Sequence, residues 1–217
     1  MKSVLLVGLG RFGRYVAQAL NEQGDEVMAI DRNEERVDAA LRFVTNAQIG
    51  DSTNERFIES LGVRNFDLCI VTIADDFQSS LETTSLLKEC GAKFVLARVS
   101  DDTHAKFLLR NGADDVVFLE KQMAQWTAVT YSNDNIFDYM ELSDEYAIYE
   151  TPVPKSWVGK SVIDMDVRKK HNLNILAIKN KESLAPLSDP SHVFSSVENL
   201  LILASKKDIQ KFLKKVF

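Results

Sequence analysis

The sequence predicts an α/β protein: a doubly wound parallel (Rossmann-like) sheet, followed by a second, smaller α+β domain. Three observations carry that expectation. Short apolar runs alternate with stretches of helical periodicity through the first part of the chain. A glycine-rich stretch, Gly8-Leu9-Gly10-Arg11-Phe12-Gly13, joins the first apolar run to the first helical one. The composition then changes near residue 140. Eight of the nine glycines precede it, the four prolines (Pro152, Pro154, Pro186 and Pro190) follow it, and 14 basic against 22 acidic residues give way to 12 against 10. The expected division is a first domain over 1–120, a linking helix over 121–140 and a second domain over 141–217.

Residues 3–7 are a continuous apolar run, as a strand covered on both faces requires. Residues 11–23 place Phe12, Val16, Ala17 and Leu20 on one helical face and stop at Gly24. A strand is predicted over 26–30, and Asn33 caps a helix over 34–41. A short strand at 48–49 leads through Gly50-Asp51-Ser52-Thr53 into a helix over 54–61. Strand 68–73, helix 77–90, strand 94–99, helix 103–111 and strand 116–119 complete the first domain. Gly24, Gly62, Gly91 and Gly112 each fall just past a predicted helix, where a left-handed residue commonly closes the last turn. Residues 120–140 read as one longer helix, with Met123, Trp126, Thr130, Ile136, Phe137 and Met140 as its apolar positions. The polar stretch 131–135 would bend or break it. Strands are predicted over 146–150, 173–179 and 200–205. Ser161 caps a helix over 162–170, and 208–217 forms a terminal helix.

Composition excludes several classes. The 217 residues are 45% hydrophobic, enough to bury a core without disulfides or structural metals. A net charge of −6 has the wrong sign for a nucleic-acid footprint. No apolar run approaches the roughly 20 residues of a membrane span, and Met1-Lys2 leads straight into the first strand without a secretory signal. Cys69 and Cys90 form no spaced pattern, which fits a reducing compartment and a cytoplasmic protein. His104, His171 and His192 include no i, i+4 pair, so a histidine-built metal site is not expected.

The glycine stretch carries the chemistry. Gly8 permits a tight turn, Gly10 lets a pyrophosphate approach the backbone, and Gly13 lets the following helix pack closely on the sheet. The helix N-terminus offers unpaired N–H groups to the anion. Asp31 lies 18 residues beyond Gly13 at the end of the second strand, where a carboxylate accepts hydrogen bonds from both ribose hydroxyls. An adenosine nucleotide is the expected ligand. Arg11, inside the loop, and Arg98, ending the fifth strand, would together favour a di- or triphosphate over a dinucleotide. The alternatives stay open: solvent exposure for Arg11 and an ion pair for Arg98. Asp51 and Ser52 either reach the adenine edge or cap the next helix. Glu120 is either a first-turn helix carboxylate or a cation ligand, and Asp75-Asp76 resemble a metal pair but read as helix-start charge. No Tyr-x-x-x-Lys, His–Asp pair or Walker lysine accompanies the loop. An enzyme is therefore not expected, and the nucleotide acts as a signal that biases a conformational equilibrium. A NAD-dependent oxidoreductase and a stand-alone nucleotide sensor are the alternatives.

Several stretches together resemble a known family. These are Val7-Gly8-Leu9-Gly10-Arg11-Phe12-Gly13, Asp31, Gly50-Asp51-Ser52-Thr53 and Leu61-Gly62-Val63-Arg64-Asn65-Phe66-Asp67. Gly112-Ala113-Asp114, Leu142-Ser143-Asp144-Glu145-Tyr146, Ile175-Leu176-Ala177-Ile178-Lys179 and Lys206-Lys207-Asp208-Ile209 follow in order. The chain resembles KtrA/TrkA-type potassium-uptake regulatory subunits, built from an RCK N-terminal (TrkA-N) and an RCK C-terminal (TrkA-C) domain. The resemblance implies a cytosolic homodimer assembling into an octameric ring beneath a KtrB/TrkH-like membrane K+ translocating subunit. ATP and ADP, or NAD(H) in some relatives, would change the ring and gate potassium flux. It also implies that Gly8, Gly10, Arg11 and Gly13 hold phosphates, that Asp31 holds the ribose, and that Phe12 and Arg32 belong to the same cofactor-binding set. Asp51 and Ser52 would flank the adenine, while Thr72, Ile73 and Ala74 would line the cleft. Glu120 would help to bind a divalent or sodium cation, and Arg98 stands where relatives carry lysine. In the second domain the resemblance implies cyclic di-AMP binding through Ile163, Arg168, His171, Asn174 and Ile175. The bland alternative places Ile163 and Ile175 in the domain core.

Overall fold

Strand β1 (Ser3–Val7) has Val4 to Val7 buried, and alternate residues enter two different cores. Leu5 and Val7 join one face with Val71, Ala97 and Leu108, while Val4 and Leu6 join the other with Ala17, Ala29 and Val37. That two-sided burial is why the strand reads as an unbroken apolar run. The computed structural model describes residues 1–181 and 183–217, which divide into two units, Met1–Lys121 and Gln122–Phe217.

The first unit continues with β2 (Glu26–Asp31), β3 (Asn46–Ile49), β4 (Leu68–Val71), β5 (Val95–Arg98) and β6 (Asp115–Val117). Between them lie α1 (Arg11–Glu22), α2 (Glu34–Ala40), α3 (Glu55–Ser60), α4 (Phe77–Glu89) and α5 (Asp102–Arg110). The six strands are parallel, in the order β3-β2-β1-β4-β5-β6. The chain builds outward from β1 in one direction, then returns to β1's other side with β4. That reversal opens a crevice at the carboxyl ends of β1 and β4. Asn33, Asn54, Asp76 and Asp101 accept backbone N–H groups in the first turns of α2, α3, α4 and α5.

The helix α6 (Leu119–Tyr131) begins in the first unit and ends in the second. It is shorter than the helix expected over 120–140. The chain turns at Asn133, whose carbonyl accepts from Ile136 N–H and whose side chain accepts from Asn135 N–H. Residues Asp138–Glu141 then form strand β7. With β8 (Tyr146–Pro152), β9 (Asn174–Lys179), β10 (Leu184–Pro186) and β11 (Asn199–Ser205), it makes an antiparallel sheet in the order β10-β9-β11-β8-β7. Trp157, Phe194 and Phe212 fill the core of this unit beside Tyr149, Leu200 and Ile202. The helix expected over 162–170 is instead two short ones, α7 (Val162–Met165) and α8 (Val167–His171), because Asp166 between them is left-handed at φ 45°. The terminal helix α9 (Lys206–Val216) buries Ile209, Phe212 and Leu213.

Candidate functional site

A cleft of about 500 Å³ opens at the crevice between β1 and β4. One wall is the glycine stretch. Gly8 has φ 96°, a region that disfavours side chains, and the Thr72 hydroxyl donates to its carbonyl at 2.8 Å. A Cβ on Gly13 would collide with that same Gly8 carbonyl oxygen, so close packing of α1 on β1 requires glycine there. A Cβ on Gly10 would meet no heavy atom within 4 Å. The space over Gly10 is therefore open to a ligand, and Gly10 starts α1 without any side-chain cap on its N–H groups.

Asp31 is the last residue of β2 and is 7% exposed. Its Oδ2 accepts the Leu9 N–H at 2.7 Å and its Oδ1 accepts the Asn33 N–H at 2.9 Å. Each oxygen retains acceptor capacity toward the cleft. Arg36 Nη1 lies 3.7 Å from Asp31 Oδ2. Across the cleft, the Arg98 guanidinium sits 6.0 Å from the Phe12 ring centroid, and its Nη2 donates to Glu120 Oε1 at 2.8 Å.

The cleft brings together every first-domain residue singled out from the sequence. Gly8, Gly10, Arg11, Phe12 and Gly13 line it with Asp31, Arg32, Asp51, Ser52, Thr72, Ile73, Ala74, Arg98 and Glu120. The charges on the walls are not equivalent. Asp51 accepts from Thr53 N–H, and Asp76 accepts from the Ser79 hydroxyl and then from Ser79 N–H; these bonds hold both carboxyls below the usual carboxylate range. Together with Asp31 they spend acceptor capacity on the backbone, whereas Arg11, Arg32, Arg36 and Arg98 all line the cavity. Such a surface suits a polyanion with a sugar attached. The Ser52 hydroxyl is paired at 2.7 Å with that of Thr83 on α4. The Glu120 carboxyl is held below the usual carboxylate range by its own backbone N–H and then by Arg98. Among the described residues, no three His, Cys, Asp or Glu side chains gather as a metal site. Arg36, Ser79 and Asp76 also line the cleft, and sequence reasoning assigned them no binding role. Arg36, four residues past Arg32 in the first turn of α2, was the readable signal.

The family model for the TrkA-N domain matches residues 4–119. The chain belongs to the TrkA-N family. It is similar over nearly its whole length to Ktr system potassium uptake protein C of Bacillus subtilis (strain 168). The two are 37% identical over 215 residues, which cover 99% of this chain and 97% of that protein. Ktr system potassium uptake protein A of the same organism is 38% identical over 211 residues, covering 97% and 95%. Among solved structures, the GsuK RCK domain superposes with a TM-score of 0.71 at 16% identity. It covers 99% of this chain, which spans 47% of that one, and the likeness concerns the fold alone.

The second unit of this TrkA-N chain treats its five singled-out residues differently. Ile163 on α7 is 62% exposed, whereas Ile175 on β9 packs against the core, so the isoleucine pair is divided between surface and interior. Arg168 and Asn174 are exposed. The His171 ring packs 5.8 Å from Trp157 and 5.3 Å from Phe212, and burial pushes its pKa down. No helix among the described residues is long and apolar enough to cross a membrane.

Proposed function

We propose that this chain is the regulatory subunit of a potassium uptake system, and that an adenosine nucleotide in the β1–β4 cleft is its signal. The full-length similarity to two Ktr system potassium uptake proteins carries this reading, and the open backbone over Gly10 facing the Asp31 carboxylate supports it. The residues fit the group. Gly8, Gly10 and Gly13 would leave room for the phosphates, Arg11 and Arg98 would meet their charge, and Asp31 would take the ribose hydroxyls. ATP and ADP suit the four arginines, and NAD(H) would use the same loop and carboxylate. The protein would not be an enzyme: ligands binding two conformations unequally would shift their balance and so gate flux.

The partner would be a KtrB/TrkH-like membrane K+ translocating subunit, met from the cytoplasmic side by a ring of this chain's homodimers. A cation beside the terminal phosphate would be held by Glu120, and cyclic di-AMP would bind the second domain through the segment around Ile163, Arg168, Asn174 and Ile175. Calorimetry of the full chain against ATP, ADP, NADH and cyclic di-AMP tests the ligand. Micromolar ATP or ADP binding is expected, weakened at least about tenfold by Asp31→Ala. Absence of binding by every adenosine ligand sinks the proposal. Co-purification with a potassium translocating subunit tests the partner.

A further inference from the structure

Positive charge in this chain is segregated. Residues 166–172 and 206–217, which contain α8 and α9, hold eight basic residues against two acidic ones, with histidine neutral, while the whole chain has a net charge of −6. Ile209, Phe212 and Leu213 bury one side of α9. Lys207, Lys211 and Lys214 recur at i, i+4 and i+7 on the other side, with Lys215 next to the last, and all four are exposed. Among the described residues Lys207, Lys214 and Lys215 make no ion pair, and Lys211 comes only within 3.8 Å of Asp208. That carboxylate already accepts from Asn172 Nδ2 at 2.7 Å and from the Ser205 hydroxyl at 2.9 Å. The same Asn172 closes α8 and so ties it to α9, and the His171 ring lies 5.3 Å from Phe212. Lys170 of α8 joins the patch there: burial, then Lys215 and Lys170, push the His171 pKa down. Like charges one turn apart repel, so folding gathers these lysines against a repulsion that an external anion would offset.

We propose that the lysine face of α8 and α9 docks on an anionic phospholipid surface. The type of cation selects that partner. Lysine is a point charge on a flexible stem and suits mobile headgroups, whereas planar recognition of one fixed phosphate favours arginine. The sign of the remaining charge selects it too. The rest of the chain carries −12, which opposes a nucleic acid long enough to track across the protein. The apolar side of α9 is already spent on the core of its own unit. Contact is therefore electrostatic, without insertion into the bilayer, and reversible by salt. Each ammonium group held at an anionic bilayer strengthens binding about fivefold, so four on one helix make a working anchor. This docking is independent of the β1–β4 cleft.

The test is flotation of the full chain with vesicles of phosphatidylglycerol and phosphatidylcholine, beside vesicles of phosphatidylcholine alone. The wild type is expected to float with the first only and to be released by about 0.5 M KCl. Lys207→Gln, Lys211→Gln, Lys214→Gln and Lys215→Gln combined should lower the partition at least about tenfold, and the same four positions changed to arginine should retain it. A control set removes equal charge elsewhere, through Lys2→Gln, Lys106→Gln, Lys155→Gln and Lys181→Gln, and should stay within about twofold of the wild type. Arg168 is kept in every variant, so the ligand proposed for its segment is undisturbed. No flotation of the wild type overturns the proposal, as do equal partition to both vesicles and equal loss in the two glutamine sets. Loss in the arginine set overturns it as well, because charge would then not be what binds. Binding of a random-sequence RNA without vesicle binding would hand the face to nucleic acid and equally overturn it.

Discussion

The Asp31 carboxylate accepts the backbone N–H of Leu9 at 2.7 Å, tying the end of β2 to the middle of the glycine stretch. One side chain thus fixes the loop that would hold phosphates and presents the oxygens that would hold the ribose. Asp31→Ala leaves the buried Leu9 N–H without its acceptor, at about 1–3 kcal/mol. Urea denaturation should show that loss, and calorimetry should show adenosine-nucleotide affinity falling at least about tenfold. A variant of wild-type stability that still binds nucleotide would contradict both roles.

Gly10 and Gly13 sit in one motif and are expected to fail in different ways. At Gly13 an added methyl collides with the Gly8 carbonyl, so Gly13→Ala must push α1 off β1. A loss of about 1–3 kcal/mol is expected by analogy with overpacked cores. At Gly10 the methyl meets open space, so Gly10→Ala should melt within a degree or two of the wild type yet bind nucleotide weakly. Thermal melts beside binding isotherms separate the two. Equal destabilisation by both substitutions would show that the space over Gly10 is not a ligand's.

The first sheet and its cleft were legible because each signal there is local. A two-faced strand needs an apolar run, a close helix needs Gly13, and a ribose carboxylate needs the tip of β2. The second unit was less legible. Strand β7 shows only Tyr139 buried among its four residues, so its pattern did not separate from the preceding helix. The break at Asp166 depends on a left-handed residue that is not glycine, which propensity does not anticipate. For Arg98 the sequence alone does not choose between ligand and ion pair, because pairing with Glu120 depends on β5 and α6 meeting in space. His104 gave no sequence signal at all, since its burial arises only when α5 packs on α4.

His104 is 0% exposed. Its Nδ1 lies 3.3 Å from the Ser100 N–H that donates to it, and its Nε2 lies 3.3 Å from the Ser80 hydroxyl. Burial lowers its pKa below 6.5, and burial also lowers that of His171. In the unfolded chain both rings take up protons as the pH falls through 6.5, while the folded chain resists, so stability is full above that pH and declines below it. The lowered Asp51 and Asp76 carboxyls, whose ordinary value is 3.8, lose their contribution only in stronger acid. Urea midpoints between pH 7.5 and 5 should therefore fall, and His104→Gln should flatten part of the slope. A slope identical in His104→Gln would remove this residue from the explanation.

Asp166 offers a gain in stability. Its φ of 45° and ψ of 49° put a side chain where its Cβ crowds the following carbonyl. Among the described residues its carboxylate makes only a long contact with Lys169, at 3.9 Å on a largely exposed lysine, and such a pair contributes little. Glycine takes the same backbone conformation without the crowding, although it loses more chain entropy on folding. The two effects oppose, and relief of a left-handed non-glycine residue is the larger. Asp166→Gly should raise stability by about 0.5–1 kcal/mol, while Asp166→Ala, which keeps the Cβ, should not. Urea denaturation of the three proteins decides it. A destabilised glycine variant would mean that the Asp166 side chain holds α7 and α8 together through more than its ion pair.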